Sequence, residues 1–205
     1  MTEKYRTVLL FGAPGAGKGT QGTMLGSVPG FHHFSTGEMF RNLDPYSETG
    51  KTFREYSVRG ELVPDELTVD LWCQCMQAQW TLGIYHPFSE LLVLDGIPRN
   101  VRQTELMAEH VDVLGIVLLQ ATDQKLMLDR LRGRALKEGR ADDAQEAVIK
   151  RRLQIFEETT APLLAEYPCD IVHRVDAIGS PAMVLKRVLE AVTPIQEAAF
   201  SNALR

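Results

Sequence analysis

The sequence predicts an α/β fold in which a doubly wound parallel sheet of five strands carries helices on both faces. Three observations support this fold class. Candidate strands and helices alternate along the chain, three of the strands are continuously apolar, and a glycine-rich loop joins the first strand to the first helix. Continuously apolar strands are typical of a parallel sheet that is covered on both faces. The 205 residues are enough for one domain of this kind.

The candidate elements follow one another in a regular order. Short apolar runs predict strands at residues 7–11, 32–35, 91–95, 113–119 and 170–175. Helices are predicted at residues 37–42, 50–58, 64–79, 101–109, 123–132, 142–164 and 180–192, and residues 194–205 are expected to form a short extra helix. We therefore expect a single domain, 1–205, whose core is built from 1–34, 65–133 and 142–205.

Two stretches interrupt the alternation of strands and helices. Residues 35–64 contain two short helices and no strand, and residues 134–141 are a short polar segment. Both fall beside the carboxyl edge of the sheet, where an α/β protein binds its ligand. We expect the first to be a small helical insertion and the second a short lid, and both are candidate moving covers.

The loop Gly12–Thr20 carries the strongest chemical signal. It has the sequence Gly-Ala-Pro-Gly-Ala-Gly-Lys-Gly-Thr, between an apolar strand and the first turn of a helix. Glycines let backbone N–H groups point inward, and the helix N-terminus adds partial positive charge. Lys18 adds a full charge for phosphates, and Thr20 offers a hydroxyl near a magnesium ion. Gly19 separates them, which is unusual for a phosphate-binding loop, but the context still predicts a P-loop that binds a nucleotide.

A second candidate group follows the third predicted strand. Asp95 stands at the tip of the apolar run 91–94, and Arg99 follows four residues later. An aspartate at this place holds water on a magnesium ion opposite the phosphate loop, or it merely caps a turn. The residues alone leave both interpretations open.

Arginines near loops and helix ends form a third group. Their planar, forked guanidinium groups suit phosphates, although surface ion pairs are the plain alternative. We expect Arg132 and Arg152 to face water, because each lies next to a better-placed arginine. The candidates for phosphate binding are Arg41, Arg130, Arg134, Arg140 and Arg151.

Composition excludes several classes of function. The sequence has 22 basic and 27 acidic residues, a net charge of −5, which argues against bulk attraction to nucleic acid. No apolar run approaches the roughly 18 residues that span a membrane, and the first residues lack the apolar core of a signal peptide. We expect a cytoplasmic protein without nucleic-acid or membrane partners. Cys73, Cys75 and Cys169 lack the spacing of a zinc site, so we expect buried thiols.

Taken in order, these motifs resemble the adenylate kinases over nearly the whole chain. The loop matches the family's phosphate loop, including the glycine after the lysine. Three segments resemble the family's monophosphate-binding segments: Ser35–Arg41 (Ser-Thr-Gly-Glu-Met-Phe-Arg), Gly60–Leu67 (Gly-Glu-Leu-Val-Pro-Asp-Glu-Leu) and Asp95–Arg99 (Asp-Gly-Ile-Pro-Arg). Val175–Gly179 resembles the segment that packs near the ATP base. Ile97 departs from the family's usual phenylalanine.

The resemblance implies reversible phosphoryl transfer from MgATP to AMP, giving two ADP, by a monomer. It implies a short lid without structural zinc, because five residues between Arg134 and Arg140 leave no room for an inserted hairpin. The implied ATP-binding residues are Gly15, Ala16, Gly17, Lys18, Gly19, Thr20, Arg130, Arg134 and Gly179. Those for AMP are Thr36, Gly37, Arg41, Glu61, Leu62, Val63, Gly96, Ile97, Pro98, Arg99, Gln103, Arg140 and Arg151. The catalytic set is Lys18, Arg99, Arg130, Arg134, Arg140 and Arg151, with Mg²⁺ held mainly by phosphates and water near Thr20 and Asp95.

Two alternative functions remain open from the sequence. A pyrimidine monophosphate kinase shares the fold and most of the arginines, and Asn100 directly after Arg99 is typical of that branch. Gln103 favours AMP, because its amide can both donate to and accept from the adenine edge, and Thr36 also resembles the AMP-binding form. A non-catalytic module that binds adenine nucleotides is the second alternative, and the filled catalytic positions argue against it.

Overall fold

The computed structural model describes residues 4–121, 124–138 and 145–200. Its strands are β1 (Tyr5–Gly12), β2 (Phe31–Ser35), β3 (Leu91–Asp95), β4 (Val111–Gln120) and β5 (Val172–Asp176). All are parallel and form one sheet in the order β2-β3-β1-β4-β5. The chain fills one side of β1 first and then crosses to the other side, so the predicted doubly wound α/β fold is confirmed.

Eight α-helices are described. They are α1 (Lys18–Leu25), α2 (Thr36–Arg41), α3 (Glu48–Ser57), α4 (Asp65–Thr81), α5 (Val101–Met107), α6 (Gln124–Glu138), α7 (Glu146–Ile155) and α8 (Pro181–Ala199). Helix α6 extends to Glu138, so the first residues of the predicted lid continue a helix that begins in the core. Residues 139–144 lie outside the described part of the chain.

The two faces of the sheet have separate cores because side chains alternate along each strand. On β1, Leu9 and Phe11 point into a core that includes Trp72 of α4 and Met107 of α5. Val8 and Leu10 point into the other core, which α1 and α8 cover. Because both faces are buried, β1 and β3 are apolar almost without interruption, as the sequence predicted.

Strand register brings the sequence motifs to one edge of the sheet. Leu10 pairs with Asp95 of β3, and Gly12 pairs with Leu119 of β4. The glycine-rich loop and the segment after Asp95 therefore start side by side at the carboxyl edge. This is the edge at which doubly wound folds bind ligands.

The predicted helix at 142–164 is wrong in its second half. Helix α7 ends at Ile155 and continues as a π-helical turn, Phe156–Thr160, and a 3₁₀ helix, Ala161–Glu166. Pro162 near the start of the 3₁₀ helix lacks an N–H, and its ring excludes a regular α-helical turn before it.

The separate C-terminal helix is also wrong for the described residues. Helix α8 runs without a break from Pro181 to Ala199 and contains Pro194. A proline inside a helix costs about 3 kcal/mol, so packing must compensate. The next residue supplies such packing: a Cβ built on Gly115 would lie 2.5 Å from the Cδ1 atom of Ile195. Because Gly115 of β4 has no side chain, α8 can lie close to the sheet.

Two sequence expectations concern the rest of the surface. None of the helices in the described ranges is long and apolar enough to cross a membrane. Cys73 and Cys75 are half-buried, and burial raises the pKa of each thiol. Cys169 is exposed, so its predicted burial is wrong, because it lies in the short helical turn Cys169–Ile171 that precedes β5.

Candidate active site

The glycine-rich loop closes over the N-terminus of α1. Gly17 precedes that helix with φ +100°, a left-handed conformation that strongly favours glycine. Gly15 also has a positive φ, +86°, and a Cβ there would lie 2.8 Å from the backbone oxygen of Met127 in α6. Gly17 therefore serves the conformation of the loop alone. Gly15 also lets the loop pack closely on α6, and this packing fixes the position of the loop against that helix.

Lys18 lies at the centre of the candidate site. Its Nζ atom donates to the backbone oxygens of Gly12 at 2.6 Å and Ala13 at 3.4 Å, so loop carbonyls hold the ammonium in place. Burial lowers the pKa of Lys18 to about 8. Asp95 opposes this decrease, while the charges of nearby arginines add to it. An incoming anion would stabilise the charged form, so the group is suited to phosphate.

Asp95 ends β3 with a side chain that is 7% exposed. Its own backbone oxygen accepts from the Thr36 hydroxyl at 3.3 Å, which ties α2 to the end of the strand. The buried Asp95 carboxylate interacts electrostatically with Lys18, and it can interact in the same way with a bound cation. Thr20, the other residue predicted to lie near a metal, is exposed at the start of α1.

A cleft of about 970 Å³ opens between the loop and β3. We call it the cleft; its positively charged lining consists of Lys18, Arg41, Arg99, Arg134 and Arg152. Asp95 and Glu38 are its acidic residues, and Pro98 and Thr160 complete the far wall. The surplus of positive charge suits phosphate groups, and forked guanidinium groups can bind them through two parallel hydrogen bonds.

Helix α6 brings two predicted arginines to a second space. Both nitrogens of the Arg130 fork donate to the backbone oxygen of Ala177 at 3.3 Å, and Arg134 reaches the cleft as well. We call this space the loop cavity; it measures about 1980 Å³ and is open along the glycine-rich loop. Its lining includes Gly15, Ala16, Gly17, Gly19, Thr20, Arg130, Arg134 and Gly179, all of them predicted for ATP.

A third space, of about 650 Å³, lies on the opposite side of the cleft. We call it the inner cavity. Its walls include Phe40 and Phe53, whose rings stack with centroids 5.1 Å apart and planes 5° apart. The predicted residues that line it are Thr36, Gly37, Arg41, Glu61, Leu62, Val63, Gly96, Arg99 and Gln103. A pocket with an aromatic wall and several polar side chains, next to a positively charged cleft, suits a nucleoside joined to a phosphate.

Close packing fixes the charged residues between the cleft and the inner cavity. A Cβ on Gly37 would lie 3.0 Å from the Arg41 Nη1 atom, so this guanidinium rests on a bare stretch of backbone. The Arg99 Nε atom donates to the backbone oxygen of Gly96 at 2.8 Å, and the Thr160 hydroxyl donates to the Arg99 oxygen at 2.9 Å. Thr160 is a residue that the sequence interpretation missed.

Two adjacent arginines, Arg151 and Arg152, lie in the reverse of their expected surroundings. Arg151 is exposed and donates to Gln154 at 3.1 Å, outside the cleft to which it was assigned. Arg152, expected to face water, is half-buried and lines both the cleft and the inner cavity. A Cβ on Gly60 would lie 3.2 Å from its Cγ atom. The sequence does contain a signal that Arg152 faces inward. Val148 lies one helical turn earlier, on the same helix face as Arg152, and this apolar residue is buried.

Other predicted residues lie in different surroundings. Ile97 is 1% exposed, and its side chain belongs to the core rather than to the inner cavity. Arg132 is exposed and lies 4.0 Å from Asp129, in agreement with the predicted surface role. Arg140 falls outside the described residues. Within those residues, no group of three or more side chains could hold a metal ion by itself.

Known proteins match this chain over most of its length. A family model described as adenylate kinase matches residues 10–171. The chain is 36% identical to the adenylate kinase of Kocuria rhizophila over 191 residues, which is 90% of this chain and 97% of that protein. It is 34% identical to that of Thermus thermophilus over 194 residues, covering 91% and 97%. It is 37% identical to that of Mycobacterium tuberculosis over 190 residues, covering 90% and 98%.

Proposed function

Because this chain belongs to the adenylate kinase family, we propose that it transfers a phosphoryl group between nucleotides held on opposite sides of the cleft. It is a phosphotransferase that converts ATP and AMP reversibly into two ADP. The observation that carries the proposed arrangement is a shared lining. The cleft has Arg134 in common with the loop cavity, and Arg99 and Arg152 in common with the inner cavity.

We assign the loop cavity to ATP. Backbone N–H groups of the glycine-rich loop and the N-terminus of α1 suit its phosphates, with Lys18 and Arg134 directed to the transferred group. We assign the inner cavity to the base of AMP and the boundary residues Arg41, Arg99 and Arg152 to its phosphate. The two substrates then meet in the cleft.

The transfer itself needs little covalent assistance from the protein. An oxygen of the AMP phosphate attacks the γ-phosphorus of ATP, and the bond to the β-γ bridging oxygen breaks, which leaves ADP on both sides. The attacking phosphate is already anionic near neutral pH, so no general base is required. What the residues contribute is alignment, exclusion of water and positive charge around the moving group. Lys18, Arg99, Arg134 and Arg152 line the cleft and would supply that charge.

The residues present fit a magnesium ion that arrives with ATP. Asp95 and Thr20 offer the hard oxygen ligands that Mg²⁺ prefers, and the described residues contain no cluster of three or more ligating side chains. Most ligands would therefore come from phosphates and water. When bound, Mg²⁺ would supply charge that neutralises the phosphates. Asp95 would orient the water around it, and Thr20 would lie near the phosphates.

Gln103 supports AMP rather than a pyrimidine monophosphate as the phosphoryl acceptor. Its side chain lies in the wall of the inner cavity, and its amide can pair with the adenine edge. Asn100 supplied the sequence signal for a pyrimidine kinase. Its side-chain oxygen accepts from the Gln103 backbone N–H at 2.8 Å, so it caps α5. Capping accounts for Asn100 without any contact with a base.

Several earlier expectations remain predictions. They are the role of Arg140, the short lid at 134–141, the helical insertion at 35–64, the monomeric state, the cytoplasmic location and the absence of nucleic-acid and membrane partners. The lid has a clear physical purpose, because a transferable phosphate surrounded by bulk water would invite hydrolysis of ATP.

A coupled phosphotransfer assay tests the proposed function. MgATP serves as the phosphoryl donor, and AMP, UMP, CMP and GMP are compared as acceptors. Fastest formation of ADP from AMP is the expected result. A preference for UMP or CMP would overturn the assignment of Gln103, and binding of ATP without transfer to any of these would leave only a nucleotide-binding module.

A further inference from the structure

Asp65, the first residue of α4, contacts Gln103, the residue that we assign to the AMP base. Its Oδ1 atom accepts from the Nε2 atom of Gln103 at 2.8 Å and from the Nδ2 atom of Asn100 at 2.9 Å. The Oε1 atom of Gln103 accepts from the backbone N–H of Arg99 at 2.8 Å. Gln103 is 2% exposed, so these bonds lie away from bulk water. Each end of the Gln103 amide therefore has a defined protein partner.

These partners determine which way the amide points. A flipped Gln103 would direct its N–H groups at the N–H of Arg99 and its oxygen at the carboxylate of Asp65, with repulsion at both ends. The observed contacts occupy one of the two N–H groups and one of the two oxygen lone pairs. The second N–H and the second lone pair suit a ligand in the inner cavity, and their order along the amide is fixed.

A fixed amide distinguishes between purines. Adenine presents an amino donor at position 6 and an acceptor at position 1, and an amide of fixed orientation can match both. A 6-oxopurine presents an acceptor at position 6 and a donor at position 1, which is the reverse order. Gln103 could match the reverse order only by flipping, against Arg99 and Asp65. Leaving buried polar groups unpaired in this way is costly and discriminates strongly.

We propose that Asp65 is a positioning residue that sets the preference for AMP over 6-oxopurine monophosphates by fixing the orientation of the Gln103 amide. This inference rests on the assignment of the inner cavity to the AMP base. Asn100 supports the arrangement, since one end of its side chain bonds to Asp65 and the other caps α5. The proposal concerns the order of donors and acceptors at the base and leaves phosphate binding unchanged.

The test compares AMP with IMP as the phosphoryl acceptor in Asp65→Ala. Removing the carboxylate takes away one of the two partners that oppose flipping. The ratio of kcat/KM for AMP to kcat/KM for IMP should fall about tenfold or more, mainly through a higher KM for AMP, while the KM for ATP stays within about twofold. Asp65→Asn keeps an acceptor oxygen at the same place and should restore the ratio to within about threefold of the unmodified protein.

Glu66→Ala is the matched control. Glu66 is the next residue of α4, and its exposed carboxylate accepts from Arg102 of α5 at 3.0 Å. Its loss removes another α4–α5 contact without touching Gln103, so the ratio should not change. If Asp65→Ala does not fold, as judged by circular dichroism, Asp65→Ser replaces it, since a hydroxyl is too short to reach both amides.

The outcomes separate this inference from the proposed function. An equal loss of activity toward AMP and IMP in the Asp65 variant, with an unchanged ratio, would overturn the positioning role. An equal change of the ratio in Glu66→Ala would do the same. The unmodified protein tests the proposed function independently, because failure to transfer to AMP there removes the premise before any variant is compared.

Discussion

The loop cavity and the inner cavity hold their ligands by different means. The loop cavity is wide and open, and much of its lining is glycine-rich backbone together with arginines from α6. The inner cavity is smaller, has stacked aromatic walls, and contains Gln103 with hydrogen bonds at both ends of its amide. Backbone amides recognise phosphates of any nucleotide, whereas a fixed side-chain amide recognises one edge of one base. Positive charge for phosphates therefore lies in both regions, whereas selectivity for a base is concentrated at Gln103 in the inner cavity.

The largest effect is expected at Arg134, because this residue lines both the cleft and the loop cavity and so belongs to neither region alone. Arg134→Ala should lower kcat about 10³-fold, since a positioned arginine is worth about 10³–10⁵ in phosphoryl transfer. The melting temperature should change little. Steady-state kinetics and thermal denaturation measure the two effects. Arg132→Ala is the control, because Arg132 is exposed on the same helix. A comparable loss of kcat and of stability in Arg134→Ala would contradict a catalytic role.

The adjacent pair Arg151 and Arg152 tests the boundary of the inner cavity. Arg152→Ala should lower kcat/KM for AMP about 100-fold, because it removes a charge that lines both the cleft and this cavity. Arg151→Ala should change it by less than about threefold, because exposed pairs contribute little. Kinetics with AMP as the varied substrate give both values. The opposite ranking would return the role to Arg151, as the sequence first suggested.

Base selectivity should differ between the two sides. We expect AMP to exceed UMP as the phosphoryl acceptor by at least about 100-fold in kcat/KM, because uracil presents an acceptor at position 4 and a donor at position 3, the reverse of the order that the fixed Gln103 amide matches. GTP should replace ATP as the donor with a loss of about tenfold or less. Beside Gly179 the loop cavity is lined by Ala177, Pro181 and Val184, whose side chains carry no hydrogen-bonding groups to distinguish guanine from adenine. Stronger discrimination against GTP than against UMP would contradict the view that the inner cavity is the more selective of the two cavities.

The smallest effect concerns pH. The pKa of Lys18 is about 8 in the unliganded protein, so kcat/KM for ATP should fall about fivefold between pH 8 and pH 9 as the charge is lost. Folding should respond with the opposite sign. The unfolded chain keeps the Lys18 proton up to its ordinary pKa of 10.5, so it binds more protons than the folded protein above pH 8. The free energy of unfolding of the unliganded protein should therefore gain a contribution between about pH 8 and pH 10.5.

Kinetics at constant ionic strength and urea unfolding in the same buffers measure both quantities. Lys18→Met should abolish the Lys18 contribution to unfolding in this window. A flat profile of kcat/KM for ATP from pH 7 to pH 9 in the unmodified protein would contradict the lowered pKa.

Tertiary contacts overruled the sequence at two particular places. Arg151 and Arg152 differ by one helical position, and the close packing of Gly60 against Val148 of α7 decides which of them enters the cleft. The sequence predicted separate helices at 180–192 and 194–205, but the fit of Ile195 against Gly115 allows α8 to continue through Pro194. Such contacts join residues far apart in the chain, and no local pattern reports them.

The sequence by itself determined the alternating strands and helices, the glycine-rich loop with Lys18, and the position of Asp95 at the end of a strand. These features depend on side-chain periodicity and on local backbone chemistry, which the order of residues states directly. The tertiary structure decided which arginine lines the cleft and how Asp65, Asn100 and Arg99 orient Gln103. Those outcomes depend on how helices pack and on which donor meets which acceptor across α4 and α5, and only the folded chain brings these groups together.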